Sequence, residues 1–94
     1  MKARAVKNYV ITSHATFEMQ RRGIEEGTVR GVLAAPEQRA GVRTGRDVLQ
    51  SRVSLGEPAT TYLLRVFVDV DRRPAEVVTV YKTSKVAKYW KENP

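Results

Sequence analysis

The sequence of 94 residues contains no cysteine and a single histidine, His14. The absence of cysteine excludes disulfides and thiolate metal sites, and one histidine is too few for a histidine-based metal cluster. No apolar run reaches the length that crosses a bilayer, and the basic start of the chain lacks the apolar stretch of a signal peptide. We therefore expect a cytoplasmic protein without a metal, a cofactor or a membrane association.

Positive charge is the feature that the sequence has in excess. Seventeen lysines and arginines against ten aspartates and glutamates give a formal net charge of +7. A net positive charge of this size on a small domain attracts polyanions, although the same charge can serve solubility alone. The composition therefore favours RNA as the partner, and it does not define the oligomeric state.

Patterns of hydrophobic residues predict a single α+β domain over residues 1–94, with residues 1–8 as a flexible basic arm. The expected fold has two N-terminal helices packed on a twisted four-stranded antiparallel sheet, followed by a short C-terminal helix. Helix signals, with Ser13 as the first N-cap and Pro36 after the second helix, predict helices at 14–22, 25–35 and 85–91. Alternation of polar and apolar residues predicts strands at 39–44, 48–55, 60–70 and 77–83, and residues 9–12 form a short extended piece.

The first predicted helix carries one candidate site. Residues three and four apart share a helix face, so His14, Glu18 and Arg21 line up. A carboxylate one turn from an imidazole can orient it as a general base, and an arginine beside them can hold a phosphate. The alternative is a solvated helix face with an ordinary ion pair.

The last predicted strand carries a second candidate site. Its period of two places Thr79, Tyr81 and Thr83 on one side, opposite Val80 and Lys82, and Arg65 of the central strand can open onto the same polar face. Such a face suits RNA, because an aromatic ring stacks on a base and a guanidinium holds a phosphate. A partly solvated face of an antiparallel sheet normally has this composition as well.

Basic side chains lie at both ends of the predicted sheet. The proposed contacts to nucleic acid are Arg21, Arg43, Arg52, Arg65, Lys82 and Lys85. The sequence has no glycine-rich phosphate loop, zinc spacing or nucleophile elbow, and its acidic residues are scattered. If the protein cleaves RNA, we expect attack by the 2′-hydroxyl with side chains as acid and base, and no metal.

The order of several short motifs resembles a small bacterial family of domains of unknown function, across roughly residues 9–90. These motifs are Ser13-His14-Ala15, Arg21-Arg22-Gly23-Ile24, Pro36-Glu37, Val78-Thr79-Val80-Tyr81 and Tyr89-Trp90. The family pattern reads HA…ER-G-I…V…NP…VVTVY. The sequence departs from it with Arg21 in place of glutamate and with Ala35 in place of asparagine.

That family is similar in architecture to the RelE and ParE toxins and to metal-independent ribonuclease folds such as barnase. The resemblance implies a toxin-type endoribonuclease whose catalytic residues match His14, Arg22, Thr79 and Tyr81, and an acidic antitoxin as a protein partner. Because ParE-like proteins bind a protein target, a non-catalytic module that binds RNA or protein is the alternative. A third interpretation gives His14 a structural role. The first interpretation requires His14 within reach of the Thr79 and Tyr81 face.

Overall fold

The alternation that begins at residue 38 builds a sheet, and the two helical segments before it pack on one side of that sheet. A computed structural model describes residues 3–92 of the chain. Its elements in chain order are β1 (Tyr9–Ile11), α1 (Ser13–Arg21), α2 (Glu26–Ala34), β2 (Gln38–Arg43), β3 (Arg46–Leu55), β4 (Thr60–Asp69), β5 (Ala75–Thr83) and α3 (Val86–Tyr89). No helix in this part of the chain is both long enough and apolar enough to cross a membrane.

The sheet has five strands in the order β1-β5-β4-β3-β2. β1 runs parallel to β5, and the other neighbouring strands are antiparallel. The expected fold with a four-stranded antiparallel sheet is therefore wrong, because the sheet has five strands and is mixed. The two N-terminal helices and the short C-terminal helix accompany this mixed sheet. Three residues carry too little alternation to identify a strand. β1 is held instead by backbone bonds, among them the Thr12 amide to the Val77 carbonyl at 3.1 Å.

Helices α1 and α2 cover one face of the sheet, which we call the core face. Leu64, Val66 and Val68 of β4 are fully buried there. The helices contribute to the same cluster Ala15, Met19, Val29, Val32 and Leu33. Burying a side chain of this size contributes about 1.5–3 kcal/mol, and a slip of one residue would turn the whole set outward. The core face therefore fixes the register of the central strands.

Strand β5 departs from strict alternation at Val78. The register pairs Phe67 with Thr79 and Val68 with Val77, so that Val78 has no partner on β4. An extra residue of this kind is a β-bulge. Because of it, Val77 and Val80 both lie in the core with no exposed surface, and the strict alternation predicted for this strand fails at this point.

The start of α1 is set by a threonine. Thr12, and not Ser13 as predicted, is the N-cap, and its Oγ1 accepts a hydrogen bond from the Ala15 amide at 3.1 Å. The same hydroxyl donates to the Val77 carbonyl at 2.9 Å. One side chain thus caps the helix and joins it to β5. Gly23, at φ 66°, takes the left-handed conformation that ends the helix, which glycine adopts at little cost.

The segment before β1 lies against the rest of the fold. Residues 1 and 2 of the predicted basic arm lie outside the described residues. The Ala3 amide donates to the Pro36 carbonyl at 3.3 Å, and the Val6 amide donates to the Leu33 carbonyl at 2.9 Å. The Val6 side chain packs against the core. This segment therefore connects the end of α2 with the start of β1.

Candidate nucleic-acid interface

The face of the sheet opposite the core face carries a row of polar side chains across three strands. The register aligns Gln50 of β3, Arg65 of β4 and Tyr81 of β5. Arg65 Nε donates to Gln50 Oε1 at 2.9 Å, and its Nη1 donates to the Tyr81 hydroxyl at 2.7 Å. Two neighbours thus hold the guanidinium in one orientation on the face. The sequence predicted that Arg65 and Tyr81 share this face, and the structure confirms that placement.

Three aromatic rings surround the Arg65 guanidinium. Its Cζ lies 4.4 Å from the centroid of Tyr89, 5.3 Å from that of Phe67 and 5.7 Å from that of Tyr81. Phe67 and Tyr81 stack with their centroids 5.9 Å apart. We call these four residues, each partly exposed, the aromatic platform. None of the ion pairs within residues 3–92 includes Arg65.

Two buried glutamines hold the C-terminal segment over this face. Gln50 Nε2 donates to the Tyr89 carbonyl at 3.1 Å and to Gln38 Oε1 at 2.8 Å. Gln38 in turn donates to the Lys91 carbonyl at 2.6 Å and accepts from the Lys91 amide at 3.1 Å. These bonds place Tyr89 against Arg65. This part of the site is not predictable from the sequence, because glutamines in alternating strands are typical of a solvated surface.

The candidate residues of α1 form a separate cluster. Glu18 is only 9% exposed, and it accepts hydrogen bonds from Arg21 at 2.7 and 3.0 Å. Arg22 lies 3.0 Å from the other Glu18 oxygen and donates to the Val80 carbonyl at 2.9 Å. The hydrogen bond from Arg21 is the main cause of the lowered pKa of Glu18, and the nearby positive charges of Arg21, Arg22 and His14 act in the same direction. His14, one turn away, is exposed.

The four predicted catalytic residues do not gather on one face of the sheet. Thr79 and Tyr81 pair with Phe67 and Arg65 on the platform side of β5. Val80 between them is buried in the core that α1 covers. His14 belongs to α1 and Arg22 is the C-cap residue of that helix, so both lie on the other side of β5. Within residues 3–92, no hydrogen bond joins His14 to Thr79 or Tyr81.

The predicted nucleic-acid contacts differ in how free they are. Arg52 pairs with Glu37 at 2.8 Å and stacks on Trp90 at 4.1 Å, so it is engaged in the structure. Lys82 Nζ lies 5.3 Å from the Tyr62 ring. Arg43 and Lys85 are exposed, and no ion pair in the described part of the chain includes either of them. Among residues 3–92, no three His, Asp or Glu side chains cluster closely enough to hold a metal ion.

Fold and site together define a small α+β domain with a cationic, aromatic sheet face. The model of one family, Domain of unknown function (DUF4258), matches residues 11–82. The chain belongs to this family. Neither the curated proteins nor the solved structures contain a match to the chain.

Proposed function

We propose that this domain binds single-stranded RNA through the aromatic platform. The observation that carries the proposal is Arg65, a guanidinium without a carboxylate partner among the described residues, held between aromatic rings on a partly exposed sheet face. Rings that stack on bases and cations that contact phosphates are the two elements of such sites. The excess of 17 basic over 10 acidic residues supports the electrostatic part.

Lysines extend the positive charge from the platform. Lys88 Nζ lies 5.3 Å from the Tyr89 ring, and Lys85 precedes α3. Both lysines are exposed, and neither forms an ion pair within residues 3–92 that a phosphate would have to displace. In this proposal an RNA strand crosses the face with bases on Phe67 and Tyr81 and phosphates near the lysines.

The test is binding of short RNA oligonucleotides with a 5′-hydroxyl, followed by fluorescence anisotropy. Loss of a stacking ring costs about 1–3 kcal/mol per base, so Phe67→Leu should weaken binding by about 5-fold to 150-fold. Phe17→Leu is the matched control, because Phe17 is a phenylalanine 60% exposed on α1. Equal affinities of both variants, or no RNA binding by the wild type at low salt, would contradict the proposal.

A second test changes exposed lysines and leaves the platform rings intact, so it should not destabilise the fold. Each phosphate contact contributes about −0.7 to the slope of log affinity against log salt for single strands. The double variant Lys85→Gln/Lys88→Gln should make the slope about 1.4 units shallower, since it removes two contacts. An unchanged slope would place the RNA elsewhere on the molecule.

The second candidate function is the metal-independent endoribonuclease of the RelE and barnase type. What favours it is the α1 cluster: an exposed histidine stands one turn from Glu18, which two arginines hold. In this version His14 is the general acid or base, Arg22 holds the phosphate, and the domain works in the cytoplasm beside an acidic antitoxin. His14→Ala should lower cleavage by about 10²–10⁴-fold in a folded protein. The products should carry 2′,3′-cyclic phosphates. Full cleavage by the His14→Ala variant would contradict the catalytic role of His14. A wild type that binds RNA without cleaving it would favour the binding function alone.

A further inference from the structure

A basic cleft opens at the end of the sheet where the N-terminal segment passes the β4–β5 turn. It has a volume of about 430 Å³, and five of its lining residues are cations: Arg4, Lys7, Arg39, Arg72 and Arg73. None of its lining residues is an aspartate or glutamate. Cavities of this size hold small ligands. The candidate residues predicted from the sequence include none of these five cations.

One of the five cations is fixed in place. Arg39 Nε donates to Asp47 at 2.8 Å, and its Nη1 donates to the Arg4 carbonyl at 3.1 Å. Its side chain is only 14% exposed. These bonds also tie the backbone of the N-terminal segment to β2, and so they build one wall of the basic cleft.

The other four cations are exposed, and their ion pairs within the described residues are long or absent. Arg72 lies 3.8 Å from Asp69 and 3.9 Å from Glu76, both long contacts, and its side chain is 58% exposed. Asp69 is already engaged by Arg46 at 2.6 Å. Arg4, Lys7 and Arg73 take part in none of the ion pairs found in residues 3–92. Charge of one sign in a concave surface focuses the potential and attracts counter-ions.

We propose that the basic cleft binds a run of adjacent phosphates, as in a triphosphate group. A single phosphate monoester carries about −1.5 to −2 charges, which is less than the charge of the three cleft cations that form no ion pair among residues 3–92, Arg4, Lys7 and Arg73. Arginine forks bind phosphate oxygens in pairs, and the lysine adds a compact point charge. A triphosphate can come from a free nucleotide or from the 5′ end of an RNA, and both present this chemistry.

The basic cleft is separate from the aromatic platform. Arg65 and Val70 are five residues apart on one extended chain, about 16 Å at about 3.3 Å per residue. Val70 also packs against the core cluster on the opposite face of the sheet. Triphosphate binding therefore does not depend on RNA binding at the platform, and each can fail alone.

The experiment titrates inorganic tripolyphosphate into the protein by calorimetry, with orthophosphate for comparison. Lys7→Gln/Arg73→Gln removes two exposed cations of the cleft, and Arg30→Gln/Lys91→Gln removes one arginine and one lysine elsewhere. A charge-assisted bond contributes enough for a tenfold change in affinity. We expect the cleft variant to weaken tripolyphosphate binding at least tenfold and the control less than twofold. Equal weakening in both variants, wild-type binding of orthophosphate as tight as of tripolyphosphate, or no binding at all would overturn the proposal.

Two RNAs of one sequence, with a 5′-triphosphate or a 5′-hydroxyl, distinguish the source of the phosphates. Tighter binding of the 5′-triphosphate RNA, lost in Lys7→Gln/Arg73→Gln, supports the cleft with an RNA end as its ligand. Tripolyphosphate binding without a preference between the two RNAs supports the cleft with a free polyphosphate as its ligand. Phe67→Leu should leave tripolyphosphate binding unchanged, and a loss there would contradict the separation of the two sites.

Discussion

Replacement of Gln50 should destabilise the protein far more than its polar character suggests. Gln50 is 1% exposed, and three hydrogen bonds join it to Gln38, Arg65 and the Tyr89 carbonyl. At about 1 kcal/mol net for each bond, Gln50→Ala should cost about 3 kcal/mol. In a domain of this size each kcal/mol lowers Tm by about 4–8 °C, so the shift should be about 12–24 °C.

Thermal melts followed by circular dichroism measure this shift, with Gln20→Ala at an exposed position of α1 as the control. Gln50→Leu keeps most of the volume and removes only the hydrogen bonds, so it should also destabilise the protein. Trp90, the one tryptophan of the chain, reports locally, because it follows the Tyr89 carbonyl that Gln50 holds. Its emission should shift to the red in the Gln50 variants before the sheet unfolds. A Gln50→Leu protein with the wild-type Tm and emission would refute the reasoning.

Two further predictions concern other contacts of the fold. Thr12→Ala removes both the cap of α1 and the hydroxyl bond to the Val77 carbonyl, so urea denaturation should show a loss of about 1–2 kcal/mol, and Thr12→Ser should restore most of it. The hydrogen bond from Arg46 is the main cause of the lowered pKa of Asp69. Because the folded pKa lies below the ordinary value, the ion pair stabilises the fold at neutral pH, and this stabilisation is lost as the pH falls from about 4 through the folded pKa. The difference in Tm between wild type and Asp69→Asn should therefore be large at pH 7 and shrink toward pH 2. A difference that stays constant with pH would contradict this origin, and the exposed Glu57→Gln variant serves as its control.

The central strands were predictable because their side chains alternate over eight or more residues. β3 and β4 each run for ten residues, long enough for a period of two to stand out from chance. β1 has three residues, and its backbone partners lie more than sixty positions further along the chain. The bulge at Val78 was equally hidden, because a run of apolar residues fits a strand with or without an extra residue.

The candidate site also has a part that the sequence predicts and a part that it does not. Arg65 and Tyr81 were placed together correctly, because both follow the period of long neighbouring strands. The grouping of His14 with Thr79 and Tyr81 needed the position of α1 relative to β5, and helix periodicity shows only which residues share a helix face. The position of α3 over the platform could not be predicted from the sequence, for another reason. It depends on Gln38 and Gln50, whose burial follows only from the packing of the C-terminal segment.

The net positive charge indicates a partner only after the basic side chains that form ion pairs are separated from those that do not. All eight ion pairs within residues 3–92 use an arginine, and none uses a lysine. The planar guanidinium makes paired bonds to a carboxylate, which suits it to structural pairs as much as to phosphates. Arg46 and Arg52 therefore add to the net charge while a carboxylate of the fold already occupies them. The groups left for a phosphate are the exposed lysines and those arginines that the carboxylates do not reach. They include Arg65 of the aromatic platform and Arg4, Lys7 and Arg73 of the basic cleft. These two surfaces are separate, and this separation is why we assign them different ligands.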